Sequence, residues 1–352
     1  MIEIKQVLNN YSSIVTCQCF PKIFQTNNFW LKSFWTILFI VFSVITSGLV
    51  IQIIFEYFEY EVVSKIKIVS ERPTNFPAVT ICDANPLSTK EAEYLIRNVT
   101  LEEYGINIES LSYKGFYNLS SNLIELLRMR MFSLNTTQKK SLGFSRDQIW
   151  KCTYDKVNCT SDDLKWDYSY RWGNCYQFNL NNIIRKAKSE HYENGLRLGY
   201  TLRNYNKYPL LESKGSRIYI HNQSFGTAPS ELINVRAGLE TTITIKKTFS
   251  HSIPQPYSPC VDLDSFKSDL YKAIVVDLIK KYRQNDCINL CLQRMIINKC
   301  KCFHPRFYKL KSDVRQCRSL SDLECINRQD EELRDAKVYD GCLNECPLEC
   351  MK

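Results

Sequence analysis

Residues 34–55 read FWTILFIVFSVITSGLVIQIIF, an apolar run of 22 positions that contains no charged side chain. At a rise of about 1.5 Å per residue, a helix of this length crosses a bilayer core of roughly 30 Å. A helix buried in a protein core would be shorter and would carry a polar stripe. The run therefore predicts a transmembrane helix at 34–55, and the sequence contains no second run of this kind.

The charges on either side of this run predict its orientation. Before it stand three lysines and one acid, namely Lys5, Lys22, Lys32 and Glu3, and directly after it stand Glu56, Glu59 and Glu61. Lysine and arginine are retained on the cytoplasmic side, so we expect a cytoplasmic N-terminal tail at 1–33 and an extracellular domain at 56–352. A cleaved signal peptide fits poorly, because the leader is long and no small-residue cleavage site follows.

Cysteines and glycosylation motifs support the same orientation. Only Cys17 and Cys19 of the 16 cysteines precede the run, which leaves 14, an even number, for the oxidising side. The two early cysteines are either palmitoylated or free cytosolic thiols. After the run, N-x-S/T acceptors for N-linked glycans occur at Asn98, Asn118, Asn135, Asn158 and Asn222. We therefore expect a glycoprotein of the plasma membrane.

Composition excludes several classes of protein. The net charge is +9 over 352 residues, but no basic cluster is present, which argues against nucleic-acid binding. The common nucleophile, zinc-protease and phosphate-loop motifs are absent, and the chain has only four histidines. We predict that the protein is not an enzyme and has no catalytic residues, cofactor or metal site. A zinc module is a poor alternative use for cysteines in an extracellular chain.

Four later segments carry a resemblance to a known family. Residues 76–86 read FPAVTICDANP, a β-branched strand between two proline turns. Residues 172–179 read WGNCYQFN, residues 215–260 contain RIYIH, VRAG, TITIK and PYSPC in that order, and a cysteine-rich end follows. In this order they resemble the epithelial sodium channel/degenerin family, which includes acid-sensing and peptide-gated channels.

The resemblance implies an α+β membrane protein with a palm β-sheet, an outer finger at 87–171 and a helical thumb at 260–350. Within these regions the residue patterns predict helices near Lys90–Asn98, Asn122–Phe132 and Ser265–Ile297. The alternation in Thr242–Lys246 predicts a half-buried strand.

The cysteine spacing suggests a set of disulfides. Cys287 and Cys291 are four apart on a predicted helix, as are Cys342 and Cys346, so two antiparallel helices can be joined as Cys287–Cys346 and Cys291–Cys342. The family's thumb carries the same nested ladder. The remaining expected pairs are Cys82–Cys175, Cys152–Cys159, Cys260–Cys350, Cys300–Cys325 and Cys302–Cys317.

Two candidate functional sites follow from the resemblance. Tyr60, at the top of the span, and Tyr257, three residues before Cys260, occupy positions where the family couples palm to membrane. The alternative is that both are ordinary interfacial or core aromatics. The acidic residues Asp330, Glu331, Glu332 and Asp335 are placed where acid-sensing relatives keep carboxylates that sense protons. Crowded carboxylates raise one another's pKa and could sense protons, but a solvated helix face, with Arg328 and Arg334 adjacent, is the favoured interpretation of the cluster.

The sequence also departs from the family. A second span with a G-x-S selectivity filter, which the family has, does not occur before Lys352, and the cytoplasmic His-Gly pair is missing. We expect an incomplete chain of a sodium-selective, amiloride-sensitive channel subunit that works as a homo- or hetero-trimer. The alternative is a one-span, disulfide-rich receptor or regulatory subunit that does not conduct. The sequence leaves the stimulus open: protons, a peptide, force or none.

Overall fold

The computed structural model describes residues 22–23, 26–111, 113–180, 184–189, 191–203, 208, 214–223, 232–261, 268–278, 282–310, 313–333 and 336–351. At 113–118, 120, 276–278, 330–333 and 336–339 the description covers the backbone alone. The chain divides into two compact units. The first comprises Met1–Lys67 with Gln255–Ser258, and the second comprises Ile68–Pro254 with Pro259–Lys352.

The first unit contains the predicted membrane helix, α1, which runs from Phe29 to Phe58. Its 30 residues exceed the predicted 34–55 at both ends, and none of them is buried. The extensions contribute Phe29, Trp30, Tyr57 and Phe58, aromatic residues of the kind that is enriched at membrane interfaces. Among the described residues, α1 is the one helix long and apolar enough to cross a membrane.

The second unit is built on a five-stranded antiparallel sheet of strand order β10-β9-β2-β6-β5. Its strands are β2 (Ala78–Asp83), β5 (Leu164–Ser169), β6 (Gly173–Phe178), β9 (Ser216–His221) and β10 (Ile233–Val235). β2 and β6 are buried along their whole length, and β2 pairs on both of its edges. The strands predicted from FPAVTIC, WGNCYQFN and RIYIH are thus confirmed.

Alternation along the strands gives the sheet two different faces. One face packs a large apolar core against Phe144, with Val79, Ile81, Tyr176, Phe178 and Ile218 pointing into it. The other face carries the Cys82–Cys175 cross-strand disulfide between directly opposed residues, together with Trp172 and Tyr219.

Three smaller sheets are also formed by the residues that the structure describes. The pair β1 (Thr74–Asn75) and β7 (Lys186–Ala187) is antiparallel, and β11 (Cys260–Val261) and β12 (Leu348–Glu349) are parallel. A three-stranded sheet contains β4 (Val157–Asn158), β3 (Ile149–Tyr154) and β8 (Leu196–Tyr200). Asp155 and Lys156, both at positive φ, form the β3–β4 turn, which the Cys152–Cys159 disulfide closes.

Helices precede the three-stranded sheet and share a core with the cysteine-rich end. They are α2 (Lys90–Tyr104), α3 (Tyr113–Phe132) and α4 (Thr136–Ser141). The helices predicted near Lys90–Asn98 and Asn122–Phe132 are confirmed with longer bounds. Fully buried side chains of α3, such as Leu123 and Leu126, belong to the same core as Ile296 and Leu323 of the cysteine-rich end.

The single helix predicted over Ser265–Ile297 is wrong. The described residues form a short helix α5 (Asp269–Lys272), a π turn (Ala273–Leu278) and a separate helix α6 (Gln284–Cys300). Arg283 is extended, and the backbone N–H of Gln284 donates to the Glu349 carboxylate at 3.0 Å, which fixes a new helix start. Periodicity alone did not reveal this contact. Helices α7 (Leu320–Leu333) and α8 (Ala336–Glu345) follow.

The strand predicted at Thr242–Lys246 is also wrong. These residues belong to no strand, Ile243 packs only partly against the apolar core and Ile245 is 42% exposed. A turn at Ala237–Gly238, with Gly238 at φ +79°, ends the ladder just after β10. The alternating side chains therefore have no neighbouring strand to pack beside among the described residues.

The described part of the chain contains seven disulfides, and their pairs are those given in the sequence analysis: Cys82–Cys175, Cys152–Cys159, Cys260–Cys350, Cys287–Cys346, Cys291–Cys342, Cys300–Cys325 and Cys302–Cys317. Two of them join α6 to α8 one helical turn apart. The architecture is the expected α+β arrangement of one apolar N-terminal helix followed by a disulfide-rich domain.

The loops that the disulfides close make a stability prediction possible. Replacing both Cys82 and Cys175 by Ala opens a loop with a sequence separation of 93, whereas replacing Cys152 and Cys159 opens one of only 7. Chain entropy predicts a loss of about 4–5 kcal/mol for the first pair and about 2–3 kcal/mol for the second. Thermal unfolding of the full chain in detergent would measure both. An equal loss in the two variants would contradict the entropic account.

Candidate functional site

The two tyrosines predicted to couple the membrane helix to the rest of the chain lie in contact. Their ring centroids are 5.5 Å apart with an interplanar angle of 81°, an edge-to-face geometry in which the positive edge of one ring meets the negative face of the other. Both residues belong to the first unit. The structure therefore brings Tyr60 and Tyr257 together at the end of α1.

Tyr60 is positioned by the end of the helix. Glu59 donates its N–H to the carbonyls of Phe55 and Glu56, and Tyr60 follows at φ +50°. This left-handed conformation is uncommon for a bulky residue, and it turns the chain out of the helix. The Tyr60 ring also contacts Tyr57 and Phe58, at centroid distances of 6.2 and 6.3 Å. The end of α1 is thus an aromatic cluster, in which Tyr60 is the member that reaches Tyr257.

The residues flanking Tyr257 are held by the C-terminal segment. On one side, the Ser252 N–H donates to the Cys350 carbonyl at 2.8 Å, and His251 forms a β-bridge with Met351. On the other side, Cys260 is bonded to Cys350 and begins β11, which pairs with β12. The loop that carries Tyr257 is therefore tied at both of its ends to the same few residues.

The acidic cluster proposed to sense protons is not placed by the structure. The side chains of Asp330, Glu331 and Glu332, and the whole of Asp335, lie outside the described residues.

A different titratable group is prominent among the described residues. Asp83, the last residue of β2, is 4% exposed, and burial raises the pKa of its carboxyl to about 7. Two groups oppose this effect: the Asn85 N–H, which donates to Oδ1 at 2.9 Å, and the positive charge of Arg217. Sequence reasoning missed Asp83. The only signal was an acid inside an otherwise apolar strand motif.

Asp83 lies beside a tightly packed turn. A Cβ at Gly143 or Gly173 would come within 2.5 or 2.8 Å of Pro86, so both glycines allow the chain to approach this turn closely. The N–H of Ala84 donates to the Gly215 carbonyl at 3.0 Å. A change of charge at Asp83 would therefore act where the central sheet meets the start of the helical region.

The buried histidine His304 belongs to a second polar cluster. Its Nε2 lies 3.6 Å from Glu125, which also accepts hydrogen bonds from Tyr170 at 2.7 Å and Arg128 at 2.8 Å. Burial lowers the pKa of His304 to about 4, and Nδ1 accepts the Arg306 N–H at 3.1 Å. His304 is accordingly neutral at physiological pH. It joins α3 to the loop after α6 as a structural residue.

The glycosylation acceptors differ in exposure. Asn135, Asn158 and Asn222 are exposed and Asn98 is half-buried, while the Asn118 side chain lies outside the described residues. Within the described part of the chain, no group of three or more His, Cys, Asp or Glu side chains could hold a metal ion.

Comparison with known proteins identifies the family. The model of the family described as "Amiloride-sensitive sodium channel" matches residues 11–352. The chain is 25% identical over 350 residues to the degenerin-like protein asic-2 of Caenorhabditis elegans, covering 91% of this chain and 62% of that protein. It is 30% identical over 174 residues to the epithelial sodium channel subunit alpha of Anolis carolinensis, covering 48% and 26% of the two chains.

A third relative is the FMRFamide-activated amiloride-sensitive sodium channel of Cornu aspersum, which is 23% identical over 290 residues, or 78% of this chain and 44% of that protein. The chain belongs to the amiloride-sensitive sodium channel family, as its sequence motifs indicated. This is a family of membrane ion channels and not of enzymes. The chain spans at most about three fifths of the length of these relatives.

The pKa of Asp83 leads to a prediction about pH. Because its folded pKa of about 7 exceeds the unfolded value of about 3.9, the folded chain binds this proton more tightly and loses stability as the pH rises between these values. Asp83→Asn removes that loss. We compare the difference in unfolding free energy, variant minus wild type, at two pH values. This difference should be larger at pH 8 than at pH 4 by roughly 2–4 kcal/mol. Thermal unfolding of both full chains across this range would measure it.

Asp322→Asn is a control for which the expected change of stability with pH has the opposite sign. Burial opposes ionisation of Asp322, but the Arg315 guanidinium and the N–H groups of Arg318 and Ser319 outweigh it and hold the pKa well below its usual range. That stabilisation is present above the unfolded pKa and is lost as the pH falls. The variant should be less stable than the wild type at pH 7, with a deficit that shrinks in acid. If the unfolding free energies of the two variants, relative to the wild type, changed with pH in the same direction, the directions of the two pKa shifts would be wrong.

Proposed function

We propose that this chain is a subunit of a sodium-selective, amiloride-sensitive cation channel of the plasma membrane, which works as a trimer of like or related subunits. The observation that carries the proposal is the Tyr60–Tyr257 contact. It links an apolar, membrane-length helix to a loop whose ends are held by the disulfide-rich domain. Such a contact is what a channel needs if events outside the membrane are to change the position of the helix.

The proposed topology places the N-terminal tail inside the cell and the disulfide-rich domain outside. Its support is the lysine excess before α1, the glutamates after it, and seven disulfides, which form in oxidising compartments. The same placement exposes the five asparagine acceptors to the glycosylation machinery. Within that domain we assign residues 87–171 as the finger and 260–350 as the thumb.

The trimer is proposed from the resemblance to the channel family. Ion pathways in membranes are lined by several helices or by protein-enclosed polar groups, so a single apolar helix needs partners to form one. In α1, Ser43, Ser47 and Gly48 are small residues that let neighbouring membrane helices approach closely. Sodium ions are the proposed cargo. The stimulus is proposed to act on the domain outside the membrane, with Asp83 and the acidic residues near Asp330 as candidate proton-sensing groups.

Electrical recording tests the proposal. The full chain would be expressed alone and together with an epithelial sodium channel alpha subunit, and amiloride-blocked current would be measured before and after replacement of external sodium. A sodium-dependent, amiloride-blocked current that requires this chain supports the hypothesis that it is a channel subunit. Suppression of the partner's current, with none from the chain alone, supports the regulatory alternative. Absence of both effects, with the chain at the cell surface, would reject both.

The aromatic contact gives a prediction about gating in whichever assembly carries current. Tyr60→Ala and Tyr257→Ala should each shift the open–closed equilibrium, and the double variant should shift it by less than the sum. Edge-to-face pairs are worth about 0.5–1.5 kcal/mol, so the coupling in a double-mutant cycle should fall in that range. The corresponding Phe variants should behave like the wild type, because the ring contact persists.

Tyr192→Ala is the matched control, since this tyrosine is 67% exposed and lies in the second unit. Strict additivity of the Tyr60 and Tyr257 variants would show that the contact does not transmit gating energy.

A further inference from the structure

A polar cleft lies where three segments of the second unit meet. Its volume is ≈ 280 Å³. One wall is the start of α2, the second is the end of α4 with the loop that follows it, and the third is the segment after β8. The lining residues are Ser88, Thr89, Glu91, Lys140, Ser141, Gly143, Ser145, Gln148 and Arg203.

Hydrogen bonds hold the three walls in place. Thr89 donates its hydroxyl to the Ser141 carbonyl at 2.8 Å, and the Ser88 N–H donates to the Leu142 carbonyl at 3.1 Å. Gln148 donates its side-chain amide to the Thr201 carbonyl at 2.9 Å, and the Thr201 N–H returns a bond of 2.8 Å. These hydrogen bonds join the walls of the cleft to one another, so the fold itself holds the cleft in shape without a ligand.

One buried hydroxyl in the cleft is unused. Ser88 is 2% exposed, yet its side chain forms no hydrogen bond with any residue that the structure describes. The other lining hydroxyls, those of Thr89, Ser141 and Ser145, are engaged. The Ser88 hydroxyl lines the cleft and is therefore available to donate a hydrogen bond to a ligand oxygen there.

The charges around Ser88 favour an anion. Among the described residues, Arg203 pairs with Asp147 alone, at 3.1 Å through Nη1, so the rest of its guanidinium can donate to another acceptor. Lys140 has its ammonium over the Trp166 ring at 4.9 Å and forms no ion pair within the described part of the chain. Ser88 and Thr89 immediately precede α2, a helix of 15 residues. The Thr89 hydroxyl accepts the Ala92 N–H at 3.2 Å, which leaves the N–H groups of Lys90 and Glu91 without an acceptor within the helix. Glu91 is the one carboxylate in the lining, and it opposes the two cations.

We propose that this cleft binds a small oxyanion, a carboxylate or a phosphate, through Ser88, Lys140, Arg203 and the start of α2. The bound oxyanion joins the helical region to the segment that follows the three-stranded sheet. It is a ligand site separate from the Tyr60–Tyr257 contact and does not depend on ion conduction.

Thermal unfolding of the purified full chain in detergent tests the site. Sodium phosphate and sodium glutamate would be titrated separately, each against sodium chloride at matched ionic strength. A ligand that binds only the folded state raises the unfolding temperature with a saturable dependence on its concentration. Saturation with phosphate or with glutamate supports the site and identifies the class of oxyanion. A response no different from that to sodium chloride, for both anions, overturns the proposal.

Variants assign any saturable effect to the cleft, each measured from its own unfolding temperature without ligand. Lys140→Gln and Arg203→Gln should weaken apparent affinity about 5-fold or more, whereas Glu91→Gln should strengthen it, because a repelling carboxylate is removed. Ser88→Ala should weaken it, and Lys151→Gln, an exposed lysine outside the cleft, should leave it unchanged. Equal affinity in all five variants would place the anion elsewhere and overturn the proposal.

Discussion

The pairing of β2 on both of its edges is the constraint on which most of the second unit depends. This strand hydrogen-bonds to β6 on one side and β9 on the other, and a disulfide between directly opposed residues fixes its register with β6. A shift by one residue would exchange the face that packs against Phe144 for the face that carries the disulfide. The packed turn at Asn85–Pro86 then sets where the helical region begins. Asp83 is buried because it stands at the junction of these two features.

Much of this architecture could be predicted from the sequence because it rests on local patterns. A charge-free apolar run defines α1, β-branched residues between proline turns define β2, and cysteines four apart define the bonded faces of α6 and α8. The interrupted helix before Gln284 could not be predicted in the same way. The second helix begins where the Gln284 N–H donates to Glu349, a residue that is distant in sequence and gives no signal in the pattern around Gln284. The alternation of Thr242–Lys246 misled for the same reason, since a strand exists only where a neighbour pairs with it.

The prediction of the candidate site rested on the family resemblance and not on local sequence patterns. Nothing in the residues around Tyr60 or Tyr257 indicates that two rings so far apart in sequence should meet, and only the resemblance to channel proteins suggested it. Asp83 shows the reverse limitation. Its neighbours in sequence are unremarkable for a strand end, and its perturbed ionisation follows from burial, which a sequence pattern does not report. Local chemistry thus identified the framework, whereas the groups most able to respond to a stimulus depend on tertiary contacts.

The two disulfides between α6 and α8 have a mechanical consequence. A single cross-link would leave the helices free to pivot about it, but two links one turn apart block both axial sliding and rotation of one helix against the other. The pair can therefore transmit displacement only as a stiff lever, without absorbing it internally. We therefore expect bending to occur at the ends of the linked pair, in the irregular π turn before α6 and the short parallel strands after α8. With bending confined to these ends, a small displacement at one end of the helix pair would reach the other end with little loss.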